Sequence, residues 1–183
     1  MCMNRIVSNW KARIFHRSRR EDGNASIEFV ILFPIFMVLF MSAFEIGLVM
    51  VRQVMLDRAT DIAVRTLRLG LWSDPNHDDL KDYICETAAV LPDCKTNLLI
   101  ELSPVSTTTW APLPDATTCV DKVQNIQPVT TFEEGIDHEL MMVRVCALQQ
   151  PLFPLTGLGL QLQRVDPDHY ALISMSAFVN EPS

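Results

Sequence analysis

Glu28 is the first residue that asks for a chemical explanation, because it stands directly before Phe29 to Phe44, a run without a single charge. A carboxylate at the start of a hydrocarbon-spanning helix costs on the order of 3 kcal/mol unless it is paired or reaches the interface. Two partners suit it: an opposite charge, or the helix N-terminus, where an anion is favourable. Glu45, towards the far end of the same apolar stretch, is expected to reach the interface, with a buried pairing to Arg52 as the lesser reading. Cys85, Cys94, Cys119 and Cys146 form an even set beyond the apolar run, as two disulfides in an oxidising compartment require. Four cysteines allow three pairings. The favoured one is Cys85 with Cys94, stapling the end of a helix to the next segment of chain, and Cys119 with Cys146, tying a long loop to a strand. No spacing is Cys-x-x-Cys, so a zinc or redox site is the weaker reading. His77, His138 and His169 each sit among acids, but each reads more simply as a surface histidine than as a metal ligand. There is no phosphate loop, no nucleophile elbow and no His-Glu-x-x-His. The chain is expected to be no enzyme, and neither a cofactor nor a metal is expected.

The element that positions Glu28 is the apolar segment itself. From Phe29 to Val51, only Glu45 is charged. At a rise of about 1.5 Å per residue this is roughly 34 Å of helix, enough for a bilayer core of about 30 Å. Residues 1–23 carry Arg5, Lys11, Arg13, Arg17, Arg19 and Arg20 against Glu21 and Asp22, a net charge of +4. Basic residues beside a first membrane segment favour the cytoplasmic side and leave the rest of the chain outside. No small-residue cleavage motif comes after the run, so the helix is expected to stay attached. The leader, with Trp10, Ile14 and Phe15 among its basic residues, reads either as an amphipathic surface helix or, preferably, as a segment without fixed structure; Cys2 lies in it. Pro34 reads equally as a functional bend or as a proline that a membrane helix tolerates.

Gly23, Glu28-Phe29, Pro34, Glu45-Ile46-Gly47 and the exit sequence Val51 to Thr60 together resemble the TadE-like family of minor pseudopilins from tight-adherence (Flp-type) pilus systems. The resemblance covers Gly23 to Gly70. It implies cleavage between Gly23 and Asn24 by a prepilin peptidase at the cytoplasmic face, giving Asn24 a free amine. It also implies that Glu28 pairs with the amine of a neighbouring subunit during assembly, and Phe29 fits the family's aromatic after the glutamate. The implied partners are the peptidase, other pilins or pseudopilins, the assembly platform and inner-membrane lipid. The implied location is the bacterial inner membrane, single-pass, with the C-terminal domain periplasmic and incorporation into a surface pilus open. The implied function is pilus biogenesis and surface adhesion. The alternative is an unprocessed membrane-anchored periplasmic binding or sensory module.

Three parts are expected: a leader over 1–23, a long helix over 24–70 that spans the membrane at about 29–51, and an α+β domain over 71–183. Beyond Val51, the positions Val51, Met55, Ala59, Ile62, Thr66 and Leu69 recur as a helical stripe and predict a packed face, with Gly70 as the C-terminal cap. Asp74-Pro75-Asn76 predicts a turn. Asp78 to Val90 predicts a second helix with Leu80, Ile84, Ala88 and Leu91 on one face, ended by Pro92. Strands are predicted at Leu98–Leu102, Leu140–Leu148 and Tyr170–Val179, the last with Ala171, Ile173, Met175 and Ala177 on one side. Residues 103–118 predict a loop around Trp110. Pro151 to Leu162, apolar and rich in Pro and Gly, is expected to pack on the sheet or on the membrane surface. After the leader the charge is 9 minus 20, or −11, which argues against a nucleic-acid partner.

Overall fold

The computed structural model of the protein describes residues 22–72, 76–109, 117–122, 131–133 and 135–181. The leader up to Glu21, the Asp74-Pro75 part of the expected turn, and Trp110 lie outside them. The architecture is α+β: one long helix, a second short one, and a three-stranded antiparallel sheet.

Helix α1, Asp22–Arg68, runs for 47 residues without interruption at Pro34 or Gly47, a rod of roughly 70 Å. It begins two residues before the expected 24 and ends where the glycine signal places its end. Gly70 has φ +58°, its N–H reaches Leu67 O at 3.0 Å, and the Leu71 N–H reaches Thr66 O at 3.2 Å. That pair of bonds satisfies carbonyls the last turn would otherwise leave open, and the left-handed backbone that permits it favours glycine.

The packed face of α1 differs from the predicted stripe. Leu56, Ala59, Thr60, Ala63 and Val64 are buried, whereas Val51 and Leu69 stay 49% and 46% exposed. The face has turned by about one residue. The apolar arc here is broad, holding both Met55 and Ile62 and the neighbouring Leu56, Ala59 and Ala63, so period alone leaves two near-equal solutions within it. The sheet selects the side where the small Ala59 and Ala63 allow close approach. Thr60 tolerates burial because its hydroxyl donates to Leu56 O at 2.9 Å.

Helix α2, His77–Thr87, starts on an Asn76 cap whose side chain accepts the Asp79 N–H at 2.8 Å, with Asp78 and Asp79 in the positive first turn. It ends three residues short of Val90, and its apolar face is the predicted one: Leu80, Ile84, Ala88 and Leu91 are all buried. Cys85 bonds to Cys94, with Cα atoms 5.6 Å apart, and so holds the one-turn helix α3 (Cys94–Asn97) against α2.

Strands β1 (Leu98–Pro104), β2 (Leu140–Gln149) and β3 (Tyr170–Val179) pair in that order, in the register Ile100, Val145, Ser174. Alternation puts Leu98, Ile100, Leu102, Met141, Val143, Val145, Ala147, Leu172 and Phe178 on the face that meets α1 and α2. On the opposite face Leu99, Cys146 and Leu148 are covered by Val120 and by Cys119, which bonds to Cys146 across a Cα separation of 5.4 Å. Both disulfides match the favoured pairing. On that second face Arg144 is buried and lies opposite Glu101 in the register. In β3 the inward side carries Tyr170, Leu172, Ser174 and Phe178, while Ile173 and Met175 stay 40% and 61% exposed. The more apolar side of that strand therefore faces outward. The inward serine at 174 occupies little space where α1 crosses.

Candidate functional site

The backbone of Gly23 and Asn24 already belongs to α1, so the bond between them lies inside the first turns of the helix. Glu28 and Phe29 are exposed, and Phe29 stacks obliquely on Phe33 at 5.1 Å. Among the described residues no salt bridge reaches Glu28. Behind it stretches a shaft with almost nothing packed against it: from Ala25 the helix is long and apolar enough to cross a membrane. Its most apolar window has no buried residue, and Val30 and Leu39 stand 67% and 65% exposed.

Glu45 corrects the expectation of interfacial exposure. It is 1% exposed and its two oxygens are both engaged, Oε1 by the Leu152 N–H and Oε2 by the Phe153 N–H, each at 2.9 Å. The carboxylate caps a loop that returns from the far end of β2, more than a hundred residues away in sequence. Nor does Arg52 pair with Glu45: its guanidinium donates to Gln150 O and to the Tyr170 hydroxyl, both at 3.1 Å. One turn of α1 therefore holds the entry to the loop, and two turns further on α1 holds the strand ends flanking it. The sequence signal was present in both partners. Glu45 is the lone charge between Phe29 and Val51, and residues 145–163 carry no charge at all. A carboxylate buried in an apolar helix needs donors, and the unpaired N–H groups of an apolar loop supply them.

The loop itself, 150–163, packs along the apolar part of α1. Its one-turn 3₁₀ segment, Gly157–Leu160, sits beside Val38 and Ser42. Gly157 has φ +50°, and a Cβ there would land on Ser42 Oγ, so both backbone and space call for glycine. A Cβ at Gly159 would meet Phe153 O. Arg164 closes the loop, donating to Pro154 O at 2.9 Å, Gly159 O at 3.2 Å and Pro167 O at 2.7 Å. Next to it a cleft of about 430 Å³ opens between the loop, the end of β2 and α3, lined by Arg52, Lys122 and His169 among others.

The histidines stand on separate elements. His169 bonds Asp166 at 2.9 Å, His77 contacts Asp78 and the Phe132 ring, and His138 occupies a turn at φ +65°. Burial alone would raise the Asp166 carboxyl. Hydrogen bonds from the Asp168 N–H, the His169 ring and the His169 N–H outweigh it and hold the group below the usual carboxylate range. Burial lowers the Lys81 amine, with the carboxylates of Asp78 and Asp82 opposing.

Residues 23–65 match the model of a family described as TadE-like protein. The match begins at Gly23, in the first turn of α1, and ends within α1, so it covers Glu28, the whole shaft and Glu45, and it agrees with the resemblance read from the motif. No curated protein and no solved structure matches the chain.

Proposed function

We propose, from the TadE-like match over residues 23–65, that this chain is a membrane-anchored structural subunit of a tight-adherence (Flp-type) pilus system. In this reading a prepilin peptidase cuts between Gly23 and Asn24, the basic leader is lost, α1 anchors the mature chain over about 29–51, and residues 71–183 form the periplasmic domain. The supporting observation is the bare shaft. An apolar surface of this length exposed on one chain calls for a cover, first lipid and then the helices of neighbouring subunits. Glu28 sits at its start without an ion-pair partner among the described residues, which suits pairing with the Asn24 amine of a neighbour. Two opposite charges about 4 Å apart attract by roughly 4 kcal/mol at an effective dielectric of about 20, while either alone is penalised.

Intact mass and N-terminal sequencing from the native membrane, with and without the peptidase, test the processing step. A peptidase-dependent start at Asn24 is expected; a chain still beginning near Met1 would sink it. Glu28→Ala is then expected to leave processing and insertion intact and to abolish filament assembly. The cleft beside Arg52 and Lys122 favours the second reading, an unprocessed anchored binding or sensory module. That reading predicts the unprocessed mass and indifference to the Glu28 change.

A further inference from the structure

We infer that the 150–163 loop is itself embedded in the bilayer, in the leaflet on the side of the folded domain, as an apolar wedge clipped to the anchor by Glu45. The inference rests on α1 being the membrane anchor.

The depth is set by the helix. With Glu28 at one boundary, a core of about 30 Å takes about 20 helical residues and ends near Leu48. Glu45 then lies about 5 Å inside the hydrocarbon, Ser42 about 9 Å and Val38 about 15 Å. The 3₁₀ turn beside Val38 and Ser42 is fixed to that depth, whichever way the chain is oriented. Moving the far boundary out to Val51 only buries the loop further.

The composition fits the position. Between Gln149 and Gln163 there is no charge; the exposed side chains along its middle are apolar, with Leu152, Leu155 and Leu160 at 48%, 81% and 62%, and the exposed glutamines, Gln150, Gln161 and Gln163, stand towards its two ends. On a domain facing water these leucines would be costly. Against acyl chains they gain about 25 cal/mol per Å² of area removed from water.

Non-helical backbone at membrane depth is tolerated only where its polar groups are satisfied. Pro151 and Pro154 have no N–H to satisfy. The Leu152 and Phe153 N–H groups go to Glu45. The N–H groups of Thr156, Gly159, Gln161 and Leu162 go to loop carbonyls, and the Arg164 guanidinium takes the carbonyls of Pro154 and Gly159. Among the described residues the Leu155, Gly157 and Leu158 N–H groups have no such bond, so the provision is made at the Glu45 end of the loop and around its 3₁₀ turn. Glu45 is thus explained together with the leucines: a carboxylate within the hydrocarbon is spent on two N–H groups that lipid could not satisfy.

The test uses the full chain with Cys2→Ser, reconstituted in phosphatidylethanolamine and phosphatidylglycerol vesicles. Single cysteines at Leu155, Leu160, Phe36 or Thr107 carry an environment-sensitive fluorophore, and all four sites are exposed, so the fold is spared. Labels at 155 and 160 are expected to emit blue-shifted, to be quenched by spin labels on the acyl chains, and to resist aqueous iodide several-fold better than the label at 107. Quenching by iodide at 155 and 160 equal to that at 107, with the label at 36 still quenched by lipid, would overturn the loop's insertion and leave the anchor intact. Lack of lipid quenching at 36 would overturn the anchor as well. Labels at 155 and 160 protected from iodide yet untouched by spin-labelled lipid would assign the leucines to a protein partner, against the inference.

Discussion

Removing the Glu45 carboxylate separates two effects that ordinary membrane charges combine. The side chain accepts two backbone N–H groups, one per oxygen. Hydrogen bonds to a charged acceptor contribute about 1.5–3 kcal/mol each, and each buried donor left open costs a similar amount. Glu45→Ala should therefore weaken docking of the loop by about 3–5 kcal/mol, a local loss because the sheet and its core lie beyond it. Glu45→Gln keeps one acceptor oxygen and turns an amide donor towards the other N–H, so roughly half the loss is expected. Insertion of the helix moves the opposite way, since a carboxylate inside the hydrocarbon opposes partition into lipid, by about 3 kcal/mol at the centre and by less near the boundary where Glu45 lies. Amide hydrogen exchange at Leu152 and Phe153 in nanodiscs reads the first effect. At about 1.4 kcal/mol per tenfold, protection at those two amides should fall at least about a hundredfold in the Ala variant. Translocon insertion of the isolated helix reads the second and should improve. Unchanged protection at 152 and 153 in both variants would refute the cap. Loss of protection spread evenly over the three strands would refute its local character.

Gly157→Ala forces φ +50° on a residue with a Cβ and drives that Cβ into Ser42 Oγ, so the loop should lift from α1 at a cost of about 1–3 kcal/mol; added Ser42→Gly should recover the steric part, read by the same exchange measurement. In the chain-entropy account, opening Cys119–Cys146 (sequence separation 27) should cost roughly 3.5 kcal/mol and Cys85–Cys94 (separation 9) roughly 2.5 kcal/mol; thermal unfolding of the paired Cys→Ser variants should rank them in that order. The Asp166 carboxyl lies below its unfolded value, near 4, so the folded state gains from its ionisation above that pH and loses the gain as pH falls through the depressed folded value. The turn over 164–169 should loosen at the acid end, tracked by the His169 amide resonance against pH, and Asp166→Asn should abolish the dependence.

The sequence alone determined whatever depends on neighbours along the chain. The charge-free run made the shaft, Gly70 ended it, Asn76 with two aspartates opened α2, and Leu80, Ile84, Ala88 and Leu91 marked its packed face, because a 3.6-residue period on a polar background has a single apolar side. The motif from Gly23 to Phe29 was legible for the same reason, as a charge placed against an apolar run. Where the apolar arc was broad, or both sides of a strand carried apolar residues, period stopped discriminating. The stripe on α1 shared Ala59 with the packed face but elsewhere was read one residue away, at Met55 and Ile62 in place of Leu56 and Ala63, and the exposed side of β3 is the more hydrophobic one. Tertiary structure decided those sides by which small residues let helix and sheet approach. It alone decided the role of Glu45, whose partners at Leu152 and Phe153 are brought to it by the loop that leaves β2 and runs back along α1. A buried carboxylate announces in sequence that it needs donors; which donors they are depends on how the chain folds back.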